Sequence, residues 1–364
     1  MHITLNRNTF LDHLELTSKV STKHVTLPVL QCVLLEAKNN QLLIKATNLE
    51  IGIEAKINAN VIEEGVIAVP AATLTQTINF LNENEVILKI EDSVLVVESA
   101  GSETNIKSIS HEEFPNIPKL EAVGQKIQKD LFALGIKSAA FAASVSSIKP
   151  ELGSVYINQK KEHSLTFVAT DSFRLMEKTV PQKNLILNDS VLIPYKNALE
   201  LARVCESIDE EVSLLVNENQ CALEFENGVY VTSRLTNGSF PDYTQIIPKE
   251  YSTHCTLLKT DLQNAFKKTN IFLNKFLQVT LTATEASLTV SANSGEVGTT
   301  TESIKAQTEG DELTVSFNQR YLSEPLNHIV DDSVVLHFAG IGRPLVIEGV
   351  NDKSIRHLVM PMNK

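Results

Sequence analysis

The chain contains few cysteines and no excess of basic residues. Cys32, Cys205, Cys221 and Cys255 are scattered and form no C-x-x-C pair. This spacing predicts buried free thiols and argues against a disulfide framework or a structural zinc site. The net charge of −12 argues against a simple basic nucleic-acid-binding protein. It leaves room for a basic face, because a protein that is acidic in total can still be basic on one side.

Long apolar runs are also missing. No run approaches the roughly 20 residues that a membrane-spanning helix needs. The N-terminal sequence MHITLNRNTFL has no signal-peptide core. We therefore expect a cytoplasmic protein without a membrane partner. With 364 residues, of which 43% are hydrophobic, the chain is long enough for two or three globular domains.

The usual motifs of catalysis and metal binding are absent from the sequence. There is no G-x-S-x-G elbow, no G-x-x-x-x-G-K-[ST] loop and no H-x-x-x-H pair. The stretch 340-GIGRPL-345 lacks the third glycine of a dinucleotide-binding loop, so we expect a hairpin turn there. The acidic clusters fall in predicted turns, where no apolar pocket shifts their pKa. The sequence predicts no enzymatic activity, no cofactor and no metal.

Three segments of the chain share one layout. Each has a short strand, about three helical turns, an acidic turn and a hairpin. The segments are 67–99, 191–225 and 315–349. Val69, Ile193 and Phe317 occupy one position, at a spacing of 124 residues. The helical positions that follow coincide and form one apolar face. They are Leu74, Ala198 and Leu322, then Ile78, Ala202 and Leu326, then Leu81, Cys205 and Ile329.

Two further elements repeat in the same order. Ala46, Ala169 and Ala292 each end a predicted strand, at a spacing of 123 residues. An amphipathic helix also recurs after a short strand. These helices are 8–20, 130–143 and 260–273, with Asn8, Asp130 and Thr260 as predicted N-caps. We therefore predict an α+β chain of three repeated domains, each with two helices on antiparallel sheets and six to eight strands. The predicted domains are 1–122, 123–249 and 250–364.

Four motifs lie in order on this triplicated scaffold. They are 26-TLPVL-30, 169-ATDSFRL-175, 234-RLTNGSFPDY-243 and 359-VMPM-362. With them the chain resembles the bacterial sliding clamps, the β subunits of the replicative DNA polymerase, over essentially its whole length. The resemblance implies a head-to-tail homodimer that closes a six-domain ring, with sheets outside and helices lining the hole. It implies that the ring encircles duplex DNA without sequence preference. It also implies partners among polymerase subunits, the clamp loader and repair proteins, and no hydrolysis by the ring itself.

In that family the stretch 167-FVATDSFRLMEK-178 helps form a pocket for short clamp-binding peptides between the second and third domains. The matching residues of this chain are Leu152, Thr170, Ser172, Phe173, Arg174, Leu175, Pro241, Ile246, Pro344, Leu358, Val359, Met360, Pro361 and Met362. An apolar groove with methionines suits a linear peptide, and we expect Thr170 and Arg174 to anchor its polar groups. Phe173 stands where the family commonly has histidine, and Asn363 replaces a basic residue. We therefore expect a different peptide preference.

The resemblance also implies cations in the hole and a seam between copies. The candidate DNA-facing residues are Lys19, Lys23, His24, Lys137, Lys196, Arg203, Lys267, Lys268 and Arg320. The candidate seam residues are Ile106, Lys107, Ile271, Phe272, Leu273, Glu296 and Glu302. Family seams often pair a basic edge with an acidic edge, and this chain has few charges at either edge. We therefore expect closure to depend more on strand pairing and apolar contacts.

Two other interpretations stay open from the sequence. A clamp-like scaffold that binds peptides and does not encircle DNA also fits the weak seam charge. A hydrolase that uses Ser172 is the other, and it lacks a local base for the hydroxyl. The sequence does not identify which polymerases and repair proteins bind, or how long a ring stays closed.

Overall fold

A computed structural model describes residues 1–21, 26–146, 148–183 and 185–362. The helices of the first third of the chain are α1 (Arg7–Ser18) and α2 (Ala71–Asn79). Its strands are β1 (His2–Asn6), β2 (Cys32–Lys38), β3 (Gln41–Thr47), β4 (Ile51–Asn58), β5 (Asn60–Glu63), β6 (Gly65–Pro70), β7 (Glu85–Glu91), β8 (Val94–Ser99) and β9 (Ser102–Lys107).

The second and third parts of the chain repeat this plan. The second has helices α3 (Lys129–Ala140) and α4 (Tyr195–Ser207). Its strands are β10 (Gln125–Ile127), β11 (Ser154–Asn158), β12 (Ser164–Thr170), β13 (Arg174–Pro181), β14 (Val191–Pro194), β15 (Val212–Val216), β16 (Gln220–Phe225) and β17 (Tyr230–Arg234). The third has helices α5 (Lys259–Thr269) and α6 (Gln319–Ser323). Its strands are β18 (Thr253–Leu258), β19 (Gln278–Thr284), β20 (Ser287–Ser294), β21 (Gly298–Lys305), β22 (Gln307–Gly310), β23 (Leu313–Asn318), β24 (Ser333–Phe338), β25 (Leu345–Gly349) and β26 (Ile355–Val359). Short 3₁₀ helices are Pro28–Gln31, Tyr243–Ile246, Asn270–Phe272 and Glu324–Asn327.

The strands form four antiparallel sheets within the described residues. Their orders are β5-β1-β7-β8-β9, then β10-β15-β16-β17-β4-β3-β2-β6, then β14-β11-β12-β13-β26-β25-β24-β18-β22, and β21-β20-β19-β23. The eight-stranded sheet joins the first and second parts of the chain through β17 and β4. The nine-stranded sheet joins the second and third parts through β13 and β26. Neighbouring domains therefore share a sheet.

The first and third parts of the chain each have nine described strands, where six to eight were predicted. The extra strand arises where a long strand bends and changes sheet. After β4 the chain continues as β5, which pairs with β1. After β21 it continues as β22, which pairs with β18. Such a bend lets one stretch of chain contribute to two sheets.

The chain forms two compact units, and each contains one shared sheet. The first unit consists of Met1–Asp130 and Glu200–Leu235, and the second of Leu131–Leu199 and the residues from Thr236 onward. The division runs through the second part of the chain because its strands are split between the two shared sheets. Within the first unit α1 packs on β3 and β4, and α2 packs on β2 and β6. Within the second, α5 packs on β20 and β21.

The aligned apolar positions of the helices are buried as predicted. Eight of the nine, all except Leu81, are at most 2% exposed. Leu81 is only half-buried, because α2 ends at Asn79. The four cysteines are free and buried, which confirms that prediction too. Gly340 and Gly342 adopt φ angles of 120° and 73° in the turn between β24 and β25, as the hairpin prediction requires.

The predicted helix caps were wrong. Asn6 caps α1, and its side-chain oxygen accepts a hydrogen bond from the N–H of Thr9 at 3.0 Å. The helices α3 and α5 begin at Lys129 and Lys259, so Asp130 and Thr260 lie inside them. Each preceding strand runs almost directly into its helix, and hydrophobic periodicity does not mark the first helical turn.

In the first unit, a lysine, a glutamate and a tyrosine hold the connection between the first two domains. Lys119 Nζ lies 2.6 Å from the carboxylate of Glu54 and 3.6 Å from the ring centroid of Tyr230. The Tyr230 hydroxyl also accepts a hydrogen bond from the N–H of Leu120 at 3.0 Å. These contacts fasten residues 118–120 to the shared sheet.

The second unit repeats this chemistry at its own connection. Lys160 Nζ lies 2.7 Å from Glu177 and 4.5 Å from the ring centroid of Tyr243. The Tyr243 hydroxyl donates to Glu177 at 2.5 Å. Burial alone raises the pKa of Glu177, but the hydrogen bonds from Lys160 and Tyr243 outweigh it and hold that pKa below its ordinary value. Glu177 follows Glu54 by 123 residues, so the same repeat position serves both connections.

Candidate peptide-binding site

The turn between β12 and β13 is held by its own side chains. Asp171 Oδ1 accepts hydrogen bonds from the N–H groups of Phe173 and Arg174, both at 3.0 Å. Thr170 Oγ1 donates to the Arg174 carbonyl at 2.6 Å and accepts from the N–H of Ser172 at 3.2 Å. Ser172 has a φ of 77°, which costs a non-glycine residue on the order of 1 kcal/mol, and these bonds support it. The turn presents Phe173 with 62% of its surface exposed.

Arg174 is buried behind this turn, with 6% of its surface exposed. Its Nε donates to Asp171 Oδ2 at 3.0 Å, and its Nη1 forms an ion pair with Glu324. Its Nη2 donates to the carbonyl of Phe141 at 2.7 Å, and the guanidinium lies 4.5 Å from the ring centroid of Tyr321. These contacts already occupy the guanidinium. Arg174 therefore positions the turn against the helices of the second unit. From the sequence we expected its guanidinium to anchor a peptide.

His357 supports the same region from β26. It is fully buried, and burial lowers its pKa to about 3, so the ring is neutral. Its Nε2 lies 2.9 Å from the carbonyl oxygen of Tyr321, which can only accept, so the proton is on Nε2. That carbonyl is free because Pro325, four residues later, has no N–H to continue α6. The helix changes there to the 3₁₀ helix Glu324–Asn327.

The C-terminal tail lies against the turn. In the shared sheet Arg174 pairs with Val359, and the next residue, Met360, donates its N–H to the carbonyl of Phe173 at 2.8 Å. The N–H of Met362 donates to the carbonyl of Ser316 at 2.8 Å. Met360 is 36% exposed, and Pro361 and Met362 are half-buried. The turn and the tail thus form one surface, which exposes Phe173 and Met360.

Several predicted wall residues are buried under this surface. Leu175 and Leu358 face each other in the sheet and join a closed cluster with Val168, Tyr243 and Val346. Phe240, Ile247, Tyr156 and Tyr251 pack against that cluster. The remaining buried members of the predicted wall are Leu152, Thr170, Arg174 and Val359. These side chains support the surface from below.

The other predicted residues lie on two adjoining loops and on one hairpin. Leu152 belongs to a turn that adjoins the 236–241 loop, where Ser154 Oγ lies 2.7 Å from Thr236 Oγ1. Pro241 is exposed on that second loop, and Ile246 is exposed at the end of the 3₁₀ helix that follows it. Pro344 is half-buried and precedes Leu345, which pairs with Val359 in the sheet. The accessible members of the predicted pocket are therefore Ser172, Phe173, Pro241, Ile246 and Met360, with partial exposure of Pro344, Pro361 and Met362.

The groups that pack behind Arg174 were not predicted from the sequence. Phe141, Tyr321, Glu324 and His357 were missed, although all four contact the arginine or its partners. Glu324 lies four residues after Arg320 on one helical face, and from the sequence we expected Arg320 to face DNA. Pro325 inside an apolar helical pattern was the one available signal, since it frees the carbonyl that His357 uses.

The candidate DNA-facing lysines divide by their surroundings. Four have exposed side chains: Lys19, Lys137, Lys196 and Lys267. Lys23 and His24 lie outside the described residues. Lys19 is the C-cap of α1, and Lys137 and Lys267 lie in the last turns of α3 and α5. Cations at helix C-termini also interact favourably with the helix dipole.

Two other candidates are exposed but already paired. Lys268 Nζ lies 2.7 Å from Glu302, and Arg320 Nε lies 2.6 Å from Glu324. The paired carboxylates reduce the charge that these cations offer to a phosphate backbone.

Arg203 differs from the other candidates because it is half-buried. Its Nε donates to Glu200 at 2.9 Å, and its Nη2 donates to the carbonyl of Leu16 at 2.8 Å. This side chain joins the ends of α4 and α1 in the first unit, and it is not available as an unpaired cation.

The candidate seam residues lie near two free sheet edges. β9 is the outer strand of the five-stranded sheet, and β21 is the outer strand of the four-stranded sheet. Ile106 in β9 is 4% exposed, so the expectation that it offers apolar surface to a second copy was wrong. Strand alternation turns Ile106 towards the core and leaves Glu103, Asn105 and Lys107 exposed.

The remaining seam candidates belong to the third domain. Ile271 is 68% exposed, and Phe272 and Leu273 are half-buried. Glu296 is exposed, whereas Glu302 is engaged by a lysine of α5. Among these candidates, Ile271 exposes an apolar side chain and Glu296 exposes a carboxylate.

Within the described ranges, no helix combines the length and apolar character needed to cross a membrane. The same part of the chain holds no group of three or more His, Cys, Asp or Glu side chains arranged to bind a metal ion.

Comparisons with known proteins agree with this architecture. Models of the DNA polymerase III beta subunit match residues 1–118 as its N-terminal domain, 126–242 as its central domain and 244–363 as its C-terminal domain. A beta sliding clamp of Staphylococcus epidermidis is 27% identical over 380 residues, which cover 100% of this chain and 99% of that protein.

Solved structures show the same likeness. A DNA polymerase sliding clamp from Pseudomonas aeruginosa, crystallised with a ligand, is 25% identical with a TM-score of 0.93, and each chain is covered in full. The DNA polymerase sliding clamp from Bacillus subtilis is 26% identical with a TM-score of 0.93, covering 100% of this chain and 99% of that one. Three domain models of one family match in order along the whole chain, so the chain belongs to the DNA polymerase III beta subunit family, the bacterial sliding clamps.

Proposed function

We propose that two copies of this chain close a ring around duplex DNA and act as the processivity clamp of the bacterial replicative polymerase. Family membership makes the chain a non-catalytic subunit of that polymerase. The ring works by effective concentration, because a topological link keeps a tethered partner near its template. The DNA contact is electrostatic and independent of sequence, which allows sliding. As a replication subunit it acts in the cytoplasm.

Strand pairing at the domain junctions carries the proposal. β4 and β13 are equivalent, because each follows the repeated alanine, Ala46 or Ala169, across one hairpin. They pair with β17 and β26, which each end an equivalent three-strand meander. The third members of these two series are β21, after Ala292, and β9, and both are edge strands. A second copy supplies both missing partners, because unpaired backbone groups on an edge favour strand addition.

The existing junctions also predict the register of the new one. Their paired residues are Ile53 with Val231 and Met176 with His357. Thr300 and Thr104 are the equivalent positions on the free edges, by their pairing with β20 and β8. We therefore pair Thr300 of one copy with Thr104 of the other, which sets Thr301 opposite Glu103.

We further infer that the turn and tail surface binds short peptides of polymerase, loader and repair proteins. Its accessible side chains, chiefly Phe173 and Met360, contact the peptide, and the buried members position them. Phe173→Asp is expected to weaken binding of a labelled clamp-binding peptide from a bacterial polymerase subunit about tenfold, the effect of losing one aromatic anchor. Fluorescence anisotropy measures this, with Phe276→Asp as the exposed aromatic control. Unchanged binding by the Phe173 variant would remove that residue from the site.

The domain boundaries 1–122, 123–249 and 250–364 stay our proposal for the three clamp domains. With these boundaries, the two strands that pair at each described junction come from two neighbouring domains.

A topological assay tests the ring. Linear duplex DNA carries streptavidin at one end, the protein threads over the other end, and a second streptavidin then closes that end. A ring stays on the DNA in high salt and leaves after a restriction cut, because salt screens charge but does not open a closed link. The control is the same DNA blocked at both ends before the protein is added. If salt washes the dimer off DNA whose second end was blocked after loading, the result supports the scaffold that does not encircle DNA.

A further inference from the structure

Two large apolar side chains stand exposed at the ends of helices. Phe80 is the C-cap of α2 and is 78% exposed. Ile271 lies in the 3₁₀ helix that extends α5 and is 68% exposed. A single exposed apolar side chain is ordinary on a protein surface, so the place of these two residues in the repeat, and not their exposure alone, indicates a contact.

The junction inside the second unit shows how such helix ends meet. Phe141 follows α3, and His328 follows the 3₁₀ helix after α6. Their rings stack, with centroids 5.0 Å apart and planes 6° from parallel. This contact accompanies the pairing of β13 with β26. The shared strand pair and the stacked helix ends therefore belong to one junction.

The junction inside the first unit has the same two parts. β4 pairs with β17, and the ends of α1 and α4 are joined by the hydrogen bond from Arg203 to the Leu16 carbonyl at 2.8 Å. Helix-end contact is therefore a regular part of a domain junction in this chain.

The repeat alignment relates the exposed residues to the stacked ones. Ile271 occupies the position of Phe141, because each lies twelve residues after the first residue of its helix, Lys259 or Lys129. Phe80 occupies the position of His328, because each lies two residues after an aligned buried residue, Ile78 or Leu326. The two exposed side chains are thus the unpartnered members of the third junction.

We propose that Phe80 of one copy packs on Ile271 of the second copy and closes the helix side of the seam. The inference rests on the proposed ring, which supplies the second copy. The contact continues the strand seam, because Phe272 lies beside Gly298 at the start of the edge strand β21, within 3.9 Å of where a Cβ would stand. Phe80 was not among the seam residues expected from the sequence. It supplies apolar area in a seam that has few charges, and the ring contains the contact twice.

Charge substitutions test the contact directly. Phe80→Glu and Ile271→Lys are each expected to raise the dimer dissociation constant at least about tenfold, because each puts a charge into an apolar contact. The double variant is expected to recover part of the loss, because the new charges face each other across the seam. Sedimentation velocity over a range of concentrations gives the dissociation constants. Ile341→Glu is the matched control, because Ile341 is 79% exposed in the turn between β24 and β25, and it is expected to leave dimerisation unchanged.

The outcomes separate this contact from the ring itself. Weaker dimers for both single variants, with recovery in the double variant, support the contact. Unchanged dissociation constants for both single variants, with wild-type dimers present, overturn the contact and leave the ring intact. Wild-type protein that stays monomeric at every concentration overturns the ring as well. Circular dichroism melting of each variant shows that a loss of dimers does not come from unfolding.

Discussion

Phe173 and Arg174 are neighbours in the chain with opposite environments, 62% and 6% exposed. The aromatic ring faces solvent because Asp171 and Thr170 hold the turn, and the guanidinium faces inwards towards Glu324. In the proposed site, this dipeptide would thus combine a peptide contact, Phe173, with a residue that positions the turn, Arg174.

Replacing Arg174 with alanine is expected to destabilise the protein by about 3–5 kcal/mol, because it leaves the carboxylates of Asp171 and Glu324 without their buried partner. Arg320→Ala is the matched control, since Arg320 pairs with the same Glu324 but is 64% exposed. It is expected to cost less than about 1 kcal/mol. Urea unfolding measures both. Equal losses for the two variants would mean that burial does not distinguish the two arginines.

His357 predicts a dependence of stability on pH. The pKa of His357 is about 3 in the folded chain and has an ordinary value of 6.5. Below pH 6.5, the unfolded chain therefore binds a proton at this histidine and the folded chain does not. Stability is therefore lost as the pH falls from 6.5 towards 3, by roughly 2 kcal/mol for this group between pH 7 and 5. His357→Gln can still donate to the Tyr321 carbonyl, and it is expected to flatten the pH dependence by about that amount.

Denaturant unfolding at pH 7 and pH 5 checks this, with His163→Gln, whose side chain is 65% exposed, as the control. A pH dependence that is the same in His357→Gln and in the native chain would rule out His357 as its source.

At the scale of elements, periodicity predicted the helix faces and failed at their ends. Leu74 and Ile78 are buried because a spacing of four residues keeps them on one face, whatever surrounds the helix. The cap at Asn6 depends on where β1 stops, and no periodic signal marks that point. The inward side chain of Ile106 was missed for a related reason, because a strand shifted by one residue exchanges its faces.

The site was predictable only in part. The Asp-Ser-Phe-Arg turn is local, so its residues could be recognised from the sequence. Its partners Phe141 and Glu324 are distant along the chain and meet it only through the pairing of β13 with β26. Non-local pairing of this kind leaves no pattern within either strand.

The seam register can be tested by cysteine cross-linking. A chain with Glu103→Cys and Thr301→Cys is expected to give a disulfide-linked dimer on a non-reducing gel, because these exposed positions face each other in the proposed pairing. In a chain with Glu103→Cys and Thr299→Cys, the second cysteine is displaced by two residues from the proposed partner position. This chain is expected to cross-link far less. The native cysteines should stay silent because all four are buried. Equal yields from both chains would refute the register.

At the scale of the whole molecule, an acidic chain that surrounds DNA depends on few cations. Several candidates are already neutralised by neighbours, as in the pairs Lys268 with Glu302 and Arg203 with Glu200. In the proposed ring, we expect the net charge of −12 to repel DNA from most of the outer surface and the exposed lysines to attract it.

The salt dependence of DNA binding separates these groups. Lys267→Ala is expected to lower the slope of log affinity against log salt by about 0.9 for each contact removed. Arg203→Ala is expected to leave the slope unchanged, because its charge is already paired. Binding to a linear duplex at several salt concentrations measures both. A reduced slope for Arg203→Ala would show that Arg203 does contact the DNA backbone.

The repetition of one strand pairing has a mechanical consequence. Two of the three kinds of junction lie within a chain, where a peptide linker holds the paired strands together at any dilution. In the proposed ring, only the junction of β9 with β21 depends on protein concentration. A loader that opens the proposed ring can therefore separate either of the two junctions between the copies. If it separated a junction within one chain, the peptide linker would keep the strands close and they would pair again. The positions of these junctions follow from the two strands that stand at sheet edges, β9 and β21.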